Sequence, residues 1–247
     1  MTQASIHAPA GHRLWALIAC AGSGKRAGGE GPKQYQPIAG VPMVRHTLAA
    51  FAQLTRLSGT LVVVAPGDGF FGHFQTGLMV SDCGGASRAL SVRNGLEQLR
   101  TKGAQEQDWV LVHDAARCLI SATQVDALID ACVDDSVGGL LALRLPDTLK
   151  CELAGRVSAT IDRADKWLAQ TPQMFRLGML HAALADAGAD LTDESSAIEA
   201  LGYRPKLVPG SARNFKVTVP SDFALAEALL ALSFQPGTAG TADYDYP

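Results

Sequence analysis

The chain has 247 residues, 47% hydrophobic and 18% charged, a length and composition that suit one large α/β domain or two small ones. The 21 lysines and arginines against 24 aspartates and glutamates give a net charge of −3, without a basic tail, so we expect no nucleic-acid partner. No apolar run approaches the roughly 20 residues that cross a bilayer, and residues 1–13 lack the apolar core of a secretory signal. We therefore expect no membrane partner and a cytoplasmic protein.

The first half of the chain alternates between two kinds of segment. Continuous apolar runs predict buried strands at residues 14–20, 60–65, 109–113 and 138–143. Helical spacing predicts helices at residues 42–54, 87–101 and 123–133. This alternation indicates right-handed crossovers and a mostly parallel sheet covered on both faces, which is a doubly wound α/β fold.

The pattern changes after residue 145. Two short β-like pieces, TLKCEL and RVSATI, flank Ala154-Gly155 within residues 146–161 and predict a protruding β-hairpin arm. A lone hairpin is marginally stable in water, so we expect it to pack on a second copy of the chain in a homodimer. Helices are predicted at residues 177–187, 194–201 and 222–233, and a late strand at 215–219.

These elements predict one domain over residues 14–233, with a dimerisation arm at about 146–166. We expect residues 1–13 to be flexible and residues 234–247, rich in Gly, Thr and Asp, to be disordered. The five cysteines include no C-x-x-C pair, which argues against a disulfide framework and a zinc site and favours reduced thiols.

A glycine-rich segment, AGSGKR at residues 21–26, follows the first predicted strand. Such a turn at the carboxyl end of a parallel strand is suited to phosphate binding. The alternative is an ordinary βα turn without a ligand, which the same sequence could form. Its spacing matches neither the P-loop nor the dinucleotide-binding motif. Two cations in this region, Arg26 and Lys33, suit a polyphosphate; the alternative is a pair of solvated surface charges.

The predicted strand at 109–113 ends in the sequence HDAAR, which places Asp114 at the same edge of the sheet. A carboxylate there can hold Mg²⁺ together with phosphate oxygens; the alternative is a helix cap. His113 reads as a packed or hydrogen-bonded core histidine. No Ser/His/Asp or Cys/His set supplies a nucleophile, which fits a reaction whose nucleophile belongs to the substrate.

Seven segments, taken together and in order, resemble one enzyme family. They are AGSGKRAGGEGPKQY, GGASRALSVRNGL, WVLVHDAAR, RLPDTLK, QTPQMF, TDESSAIE and FKVT. The chain is similar, from about residue 14 to residue 232, to the 2-C-methyl-D-erythritol 4-phosphate cytidylyltransferases of the non-mevalonate isoprenoid pathway. The resemblance implies a Rossmann-like nucleotidyltransferase fold. It also implies Mg²⁺-dependent transfer of a cytidylyl group from CTP to 2-C-methyl-D-erythritol 4-phosphate, with release of pyrophosphate.

The resemblance also implies site residues. Arg26 and Lys33 would stabilise the transition state and the leaving pyrophosphate, Asp114 would hold Mg²⁺, and Arg163 and Lys216 would orient the attacking phosphate. The other implied substrate contacts are Ala21, Gly22, Ser23, Gly24 and Lys25 in the glycine-rich loop, Gly85 and Ser91 at the cytosine, Thr148 and Thr171 near the polyol, and Ala115 and Arg117. In the family the arm reaches the neighbouring subunit, so Thr148 and Arg163 would serve a partner's active site.

Three positions depart from the family pattern. Ala86 stands where an acidic residue is usual, which weakens the expected discrimination between CTP and UTP. Arg213 replaces another usually acidic residue, so we expect weaker Mg²⁺ binding and a contact of Arg213 with a phosphate; Cys118 replaces a proline. Two alternatives stay open: a cytidylyltransferase for another polyol phosphate such as ribitol 5-phosphate, and a non-catalytic nucleotide-binding protein.

Overall fold

A seven-stranded sheet forms the centre of the computed structural model, which describes residues 12–24, 31–73, 78–185 and 191–233. The strands are β1 Leu14–Ala19, β2 Pro37–Ile38, β3 Val41–Pro42, β4 Leu57–Val63, β5 Met79–Ser81, β6 Trp109–Asp114, β7 Gly138–Arg144, β8 Leu149–Leu153, β9 Arg156–Ile161, β10 Trp167–Arg176 and β11 Lys206–Pro209. The helices are α1 Met43–Phe51, α2 Arg88–Thr101, α3 Ala122–Cys132, α4 Leu177–Ala185, α5 Glu194–Ala200 and α6 Pro220–Ser233. The predicted flexible N-terminus, apart from residues 12 and 13, and the predicted disordered tail lie outside the described residues.

The central sheet has the order β11-β7-β10-β6-β1-β4-β5. Its neighbouring strands are parallel except for β10, which runs antiparallel to both β6 and β7. The mostly parallel sheet confirms the predicted fold class, and the four strands and six helices that the sequence predicts all form with small shifts at their ends.

The core lies on both faces of this sheet. Ile18 on β1 packs with Phe51 of α1 and Leu128 of α3 on one face, whereas Leu17 packs with Leu96 of α2 and other apolar residues on the opposite face. Successive strand side chains point to opposite faces, so a strand that is apolar throughout must be covered on both sides. The continuous apolar runs of the sequence are explained in this way.

One predicted strand is wrong. Residues 215–219 form an irregular segment with a backbone bond from the amide of Val217 to the carbonyl of Ala116. The amides of Thr218 and Val219 instead donate to Oδ2 of Asp222, near the start of α6. Because this side chain takes the two donors, no strand ladder forms there.

Strands β8 and β9 form an antiparallel hairpin with a two-stranded sheet of its own. Ala154 and Gly155 connect them, and both have positive φ angles, 51° and 76°, as a tight two-residue turn requires. Leu153 and Val157 are 71% and 64% exposed. This chain therefore leaves the apolar side chains at the tip of the hairpin in contact with solvent.

Candidate active site

A cleft of about 540 Å³ opens at the carboxyl ends of β1 and β6, which are neighbours in the sheet. Ten of the predicted site residues line it: Ala21, Gly22, Ser23, Gly24, Lys33, Gly85, Ser91, Asp114, Ala115 and Lys216. These residues come from five separate parts of the chain. Lys25 and Arg26 lie outside the described residues, so their predicted roles stay predictions.

Asp114 is the carboxylate of the cleft, and two cations hold it. Its Oδ1 accepts a 2.6 Å hydrogen bond from Nε of Arg88, and Oδ2 lies 2.7 Å from Nζ of Lys216. Burial alone would raise the pKa of Asp114, but the two cations outweigh it and hold this pKa well below its usual range. Asp114 is therefore ionised under all ordinary conditions.

Arg88 is a site residue that the sequence did not predict. Its two terminal nitrogens donate to the two carboxylate oxygens of Glu194 at 2.6 and 3.0 Å, and Glu194 is fully buried. Burial opposes the charge on Arg88, but Glu194 and Asp114 more than compensate, and the net effect raises its pKa. Arg88 and Glu194 are far apart in sequence and share no periodicity, so no local pattern predicts their contact. The only signal in the sequence is that they lie in two of the segments that resemble the family, GGASRALSVRNGL and TDESSAIE.

Lys33 reaches the cleft from a single turn of 3₁₀ helix, Lys33–Tyr35. Its Nζ donates a 2.6 Å hydrogen bond to the carbonyl of Val217, the neighbour of Lys216. Gly24 lies against this turn with a φ of +65°, and a Cβ there would be 2.7 Å from the backbone nitrogen of Lys33. Both the backbone angle and the close approach therefore require glycine at position 24.

Three buried groups fix the end of β6. The hydroxyl of Thr171 accepts a hydrogen bond from the amide of Asp114 and donates to Nδ1 of His113, while Nε2 of His113 donates to the carbonyl of Arg117. Burial lowers the pKa of His113 to about 4, so the ring is neutral and structural, as the sequence indicated. The predicted contact of Thr171 with the polyol stays a prediction.

The turn before α2, where the resemblance predicts the cytosine contacts, lines the cleft. Oγ of Ser91 accepts from the amide of Gly85 at 3.0 Å and donates to the carbonyl of Ser87 at 2.8 Å. Ala86 lines the cleft beside them, so a methyl group is found where the family pattern has a carboxylate. The base contacts predicted for Gly85 and Ser91 stay predictions.

Four predicted residues of the described ranges are not among those that line this cleft: Arg117, Thr148, Arg163 and Thr171, whose contacts with the end of β6 are given above. Arg117 donates to the carbonyls of Asn214 and Ala169, and so ties the HDAAR segment to the segment before Lys216. Thr148 precedes β8 and Arg163 follows β9, at the base of the hairpin. Their predicted roles stay predictions.

Arg213, which replaces a usually acidic residue of the family pattern, contacts helix α6. Its Nη2 donates to the carbonyl of Leu229 in α6, its side chain is exposed, and it is not among the cleft residues. The expected contact of Arg213 with a phosphate stays a prediction.

The donor set of the cleft fits Mg²⁺ only as an ion shared with a ligand. Within the described ranges, no group of three or more His, Cys, Asp or Glu residues could enclose a metal ion. Asp114 is a single carboxylate at the cleft wall, and Mg²⁺ commonly takes one or two carboxylates together with phosphate oxygens and water. Asp114 therefore suits an ion that arrives with a polyphosphate.

Among the helices of the described ranges, none is long and apolar enough to cross a membrane.

Comparison with known proteins gives a consistent result. Residues 14–232 match the model of the family described as 2-C-methyl-D-erythritol 4-phosphate cytidylyltransferase. The protein of that name from Paraburkholderia xenovorans is 53% identical over 229 residues, covering 89% of this chain and 97% of its own. A bifunctional enzyme, IspD/IspF, from Albidiferax ferrireducens is 66% identical over 221 residues, 88% of this chain; this chain spans about half of its length, 53%.

Solved structures agree with the sequence relatives. A crystal structure of 4-diphosphocytidyl-2C-methyl-D-erythritol synthase superposes with a TM-score of 0.79 at 42% identity, covering 89% of this chain and 98% of the other. The 2-C-methyl-D-erythritol 4-phosphate cytidylyltransferase of Francisella tularensis superposes with a TM-score of 0.75 at 31% identity, covering 87% and 99%.

Proposed function

The chain belongs to the 2-C-methyl-D-erythritol 4-phosphate cytidylyltransferase family, and from this premise we propose that Lys33, Asp114 and Lys216 are the groups that carry out its reaction. The enzyme is a nucleotidyltransferase that transfers the cytidylyl group of CTP to 2-C-methyl-D-erythritol 4-phosphate in isoprenoid precursor biosynthesis. Pyrophosphate is the leaving group. An oxygen of the sugar phosphate attacks the α-phosphorus of CTP in line with it, so catalysis consists of positioning and charge stabilisation.

The observation that carries this proposal is the connection between the two lysines. Lys33 Nζ bonds to the carbonyl of Val217, and the adjacent Lys216 pairs with Asp114. Two ammonium groups from distant parts of the chain therefore meet at one wall of the cleft. Together with Arg88 they make three cations against the two carboxylates Asp114 and Glu194, which favours a highly charged anionic ligand.

The two lysines receive different roles. We assign Lys33 to the charge that develops on the leaving pyrophosphate, because it follows the glycine-rich loop, whose turn suits phosphate binding. We assign Lys216 to the attacking phosphate, because its ammonium group pairs with Asp114 rather than with the turn that follows the glycine-rich loop. Arg26 would assist Lys33, and the loop residues 21–25 would contact the phosphates of CTP.

We propose Mg²⁺ as the cofactor, with Asp114 as its ligand from the protein. Bound there, the ion would neutralise phosphate charge. Lys216 and Arg88 each hold one oxygen of Asp114, so they keep the carboxylate ionised and fix its orientation for a ligand.

We propose that the enzyme works as a homodimer through the β8–β9 hairpin. The exposed apolar residues Leu153 and Val157 support this assignment, as does the position of Thr148 and Arg163 beside the hairpin. In the dimer these two residues would complete the polyol-phosphate subsite of the partner chain, and neither is among the residues that line the cleft of their own chain.

We assign the enzyme to the cytoplasm. All five cysteines are free in the structure. Free thiols persist in a reducing compartment, whereas exported proteins of this size commonly form disulfides.

Turnover with two polyol phosphates tests the proposed function. We expect pyrophosphate release with CTP, Mg²⁺ and 2-C-methyl-D-erythritol 4-phosphate, and little or none with ribitol 5-phosphate. Activity on ribitol 5-phosphate alone would exclude the proposed substrate. Calorimetric binding of CTP without turnover of either substrate would point to the non-catalytic alternative.

A further inference from the structure

The turn that presents Lys33 is fastened to a neighbouring loop by Tyr35. The Tyr35 hydroxyl donates a 2.6 Å hydrogen bond to Oδ2 of Asp68, in the loop after β4. Its ring stacks on Phe70, with ring centroids 3.9 Å apart and planes at 8°, and meets the edge of Phe71 at 6.2 Å. We call these four residues the Tyr35 anchor.

Asp68 is itself held in place. Its Oδ1 accepts the amide of Phe70 at 2.9 Å, and its own amide bonds to the carbonyl of Ala65. Burial and the neighbouring Cys20 and Asp68 raise the pKa of Tyr35, so the hydroxyl remains a donor. The anchor is therefore a fixed point outside the cleft.

A second tie fastens the same turn to β1. Gln34 is 4% exposed, and its Nε2 donates to the carbonyl of Cys20 at 2.8 Å. Two consecutive side chains, Gln34 and Tyr35, thus bind the turn to the scaffold, while Lys33 extends the other way to Val217. A three-residue 3₁₀ turn has little stability of its own. These side chains therefore help to fix the backbone of Lys33, together with the backbone bond from the amide of Met43 to the carbonyl of Gln36.

We propose that Tyr35 and Asp68 are positioning residues of the reaction, which act on the transition state only through the placement of Lys33. Neither is among the residues that line the cleft. The inference rests on the proposed role of Lys33. A displacement of about 1 Å at a reacting group can cost about 100-fold in rate, so a bond remote from substrate can control turnover.

The variants Y35F and D68A test the proposal. Y35F keeps the stacked ring and loses only the hydroxyl, and D68A removes the acceptor from the other side. W15F is the matched control: it removes a 3.1 Å hydrogen bond from a buried aromatic donor to the carboxylate of Asp108, and neither Trp15 nor Asp108 is among the residues that line the cleft. The readouts are kcat, KM for CTP and the free energy of unfolding of each full-length variant.

We expect Y35F and D68A each to lower kcat by about tenfold or more, with KM for CTP within about threefold of wild type. W15F should keep kcat even where its unfolding free energy falls as much. In a K33A background, Y35F should cause no further loss, because its effect passes through the lysine.

Four results would contradict the proposed positioning role of Tyr35 and Asp68. One is a wild-type kcat in folded Y35F and D68A, and another is a kcat loss in W15F equal to theirs. The third is a loss that KM for CTP accounts for entirely, and the fourth is an undiminished effect of Y35F in the K33A background. The variant K33A distinguishes failure of the proposed function from failure of this inference. A wild-type kcat in K33A contradicts the proposed role of Lys33. A low kcat in K33A together with a wild-type kcat in Y35F contradicts only the positioning role of Tyr35.

Discussion

Lys216 and Asp114 form a 2.7 Å ion pair between two separate parts of the fold. Asp114 is the last residue of β6, and Lys216 lies in the irregular segment before α6. Because Asp114 is only 6% exposed, this pair and the bond from Arg88 determine the charge at this wall of the cleft.

Replacing Lys216 with methionine should lower kcat by about 100-fold, because the attacking phosphate loses a cation and Asp114 loses one of its two partners. Steady-state kinetics with both substrates varied would measure the effect. K206M is the control. Lys206 begins the edge strand β11, pairs with Asp135 at 3.0 Å and is not among the residues that line the cleft. A kcat for K216M equal to that of K206M would count against the assignment.

Mixed dimers should show which chain uses Arg163. K33A and R163A homodimers should both be nearly inactive, whereas a heterodimer of the two contains one site with Lys33 from one chain and Arg163 from the other. We expect refolded mixtures to regain a substantial part of wild-type activity. If Arg163 acts in its own chain, mixing will restore nothing.

The acid sensitivity of the fold should depend on Asp108. Burial would raise its pKa, but hydrogen bonds from the amides of Gln105 and Arg13 and from the indole of Trp15 outweigh this and lower it. A carboxylate with a lower pKa in the folded state stabilises the fold above its unfolded pKa of about 3.9, and this contribution disappears as the pH falls through the folded value.

The variant D108N should therefore cost about 1–3 kcal/mol at neutral pH and progressively less below pH 4. Urea unfolding of wild type and D108N at pH 7 and at pH 3 measures this difference. A stability difference that does not change with pH would show that the ionised carboxylate is not the stabilising group. Activity at neutral pH should remain.

Ala86 should limit the selectivity for CTP over UTP, since its methyl group cannot accept a hydrogen bond from the exocyclic amine of cytosine. We expect A86D to raise the ratio of kcat/KM for CTP to that for UTP by about tenfold, the equivalent of one modest hydrogen bond. A86N has nearly the same shape without the charge and should give a smaller gain. An unchanged ratio in A86D would show that the base is read elsewhere.

Much of the site could be predicted because its residues follow recognisable strands. The apolar runs of β1 and β6 each end in chemically distinctive residues, and in a parallel sheet such ends meet at one edge. This reasoning predicts that the glycine-rich loop and Asp114 lie at one edge of the sheet, and the structure confirms that they line the same cleft.

Other features depend on contacts that no local pattern contains. Arg88 and Glu194 are 106 positions apart and meet only in the folded chain. Strand β10 escaped prediction because it carries buried polar side chains: Gln170 donates to the carbonyl of Ser211 and Gln173 to Asp193. Buried polar groups with long-range partners are consistent with a central strand but leave no apolar run in the sequence.

The most direct test of the account is the separation of turnover from CTP binding in the variant K33A, with K102A as a control at an exposed lysine after α2. If the ammonium group of Lys33 stabilises the charge that develops on pyrophosphate, kcat should fall by about 100-fold or more, while Kd for CTP measured by calorimetry should change by less than about threefold. A K33A enzyme that turns over at the wild-type rate under saturation, or whose entire loss is explained by weaker CTP binding, would contradict the account.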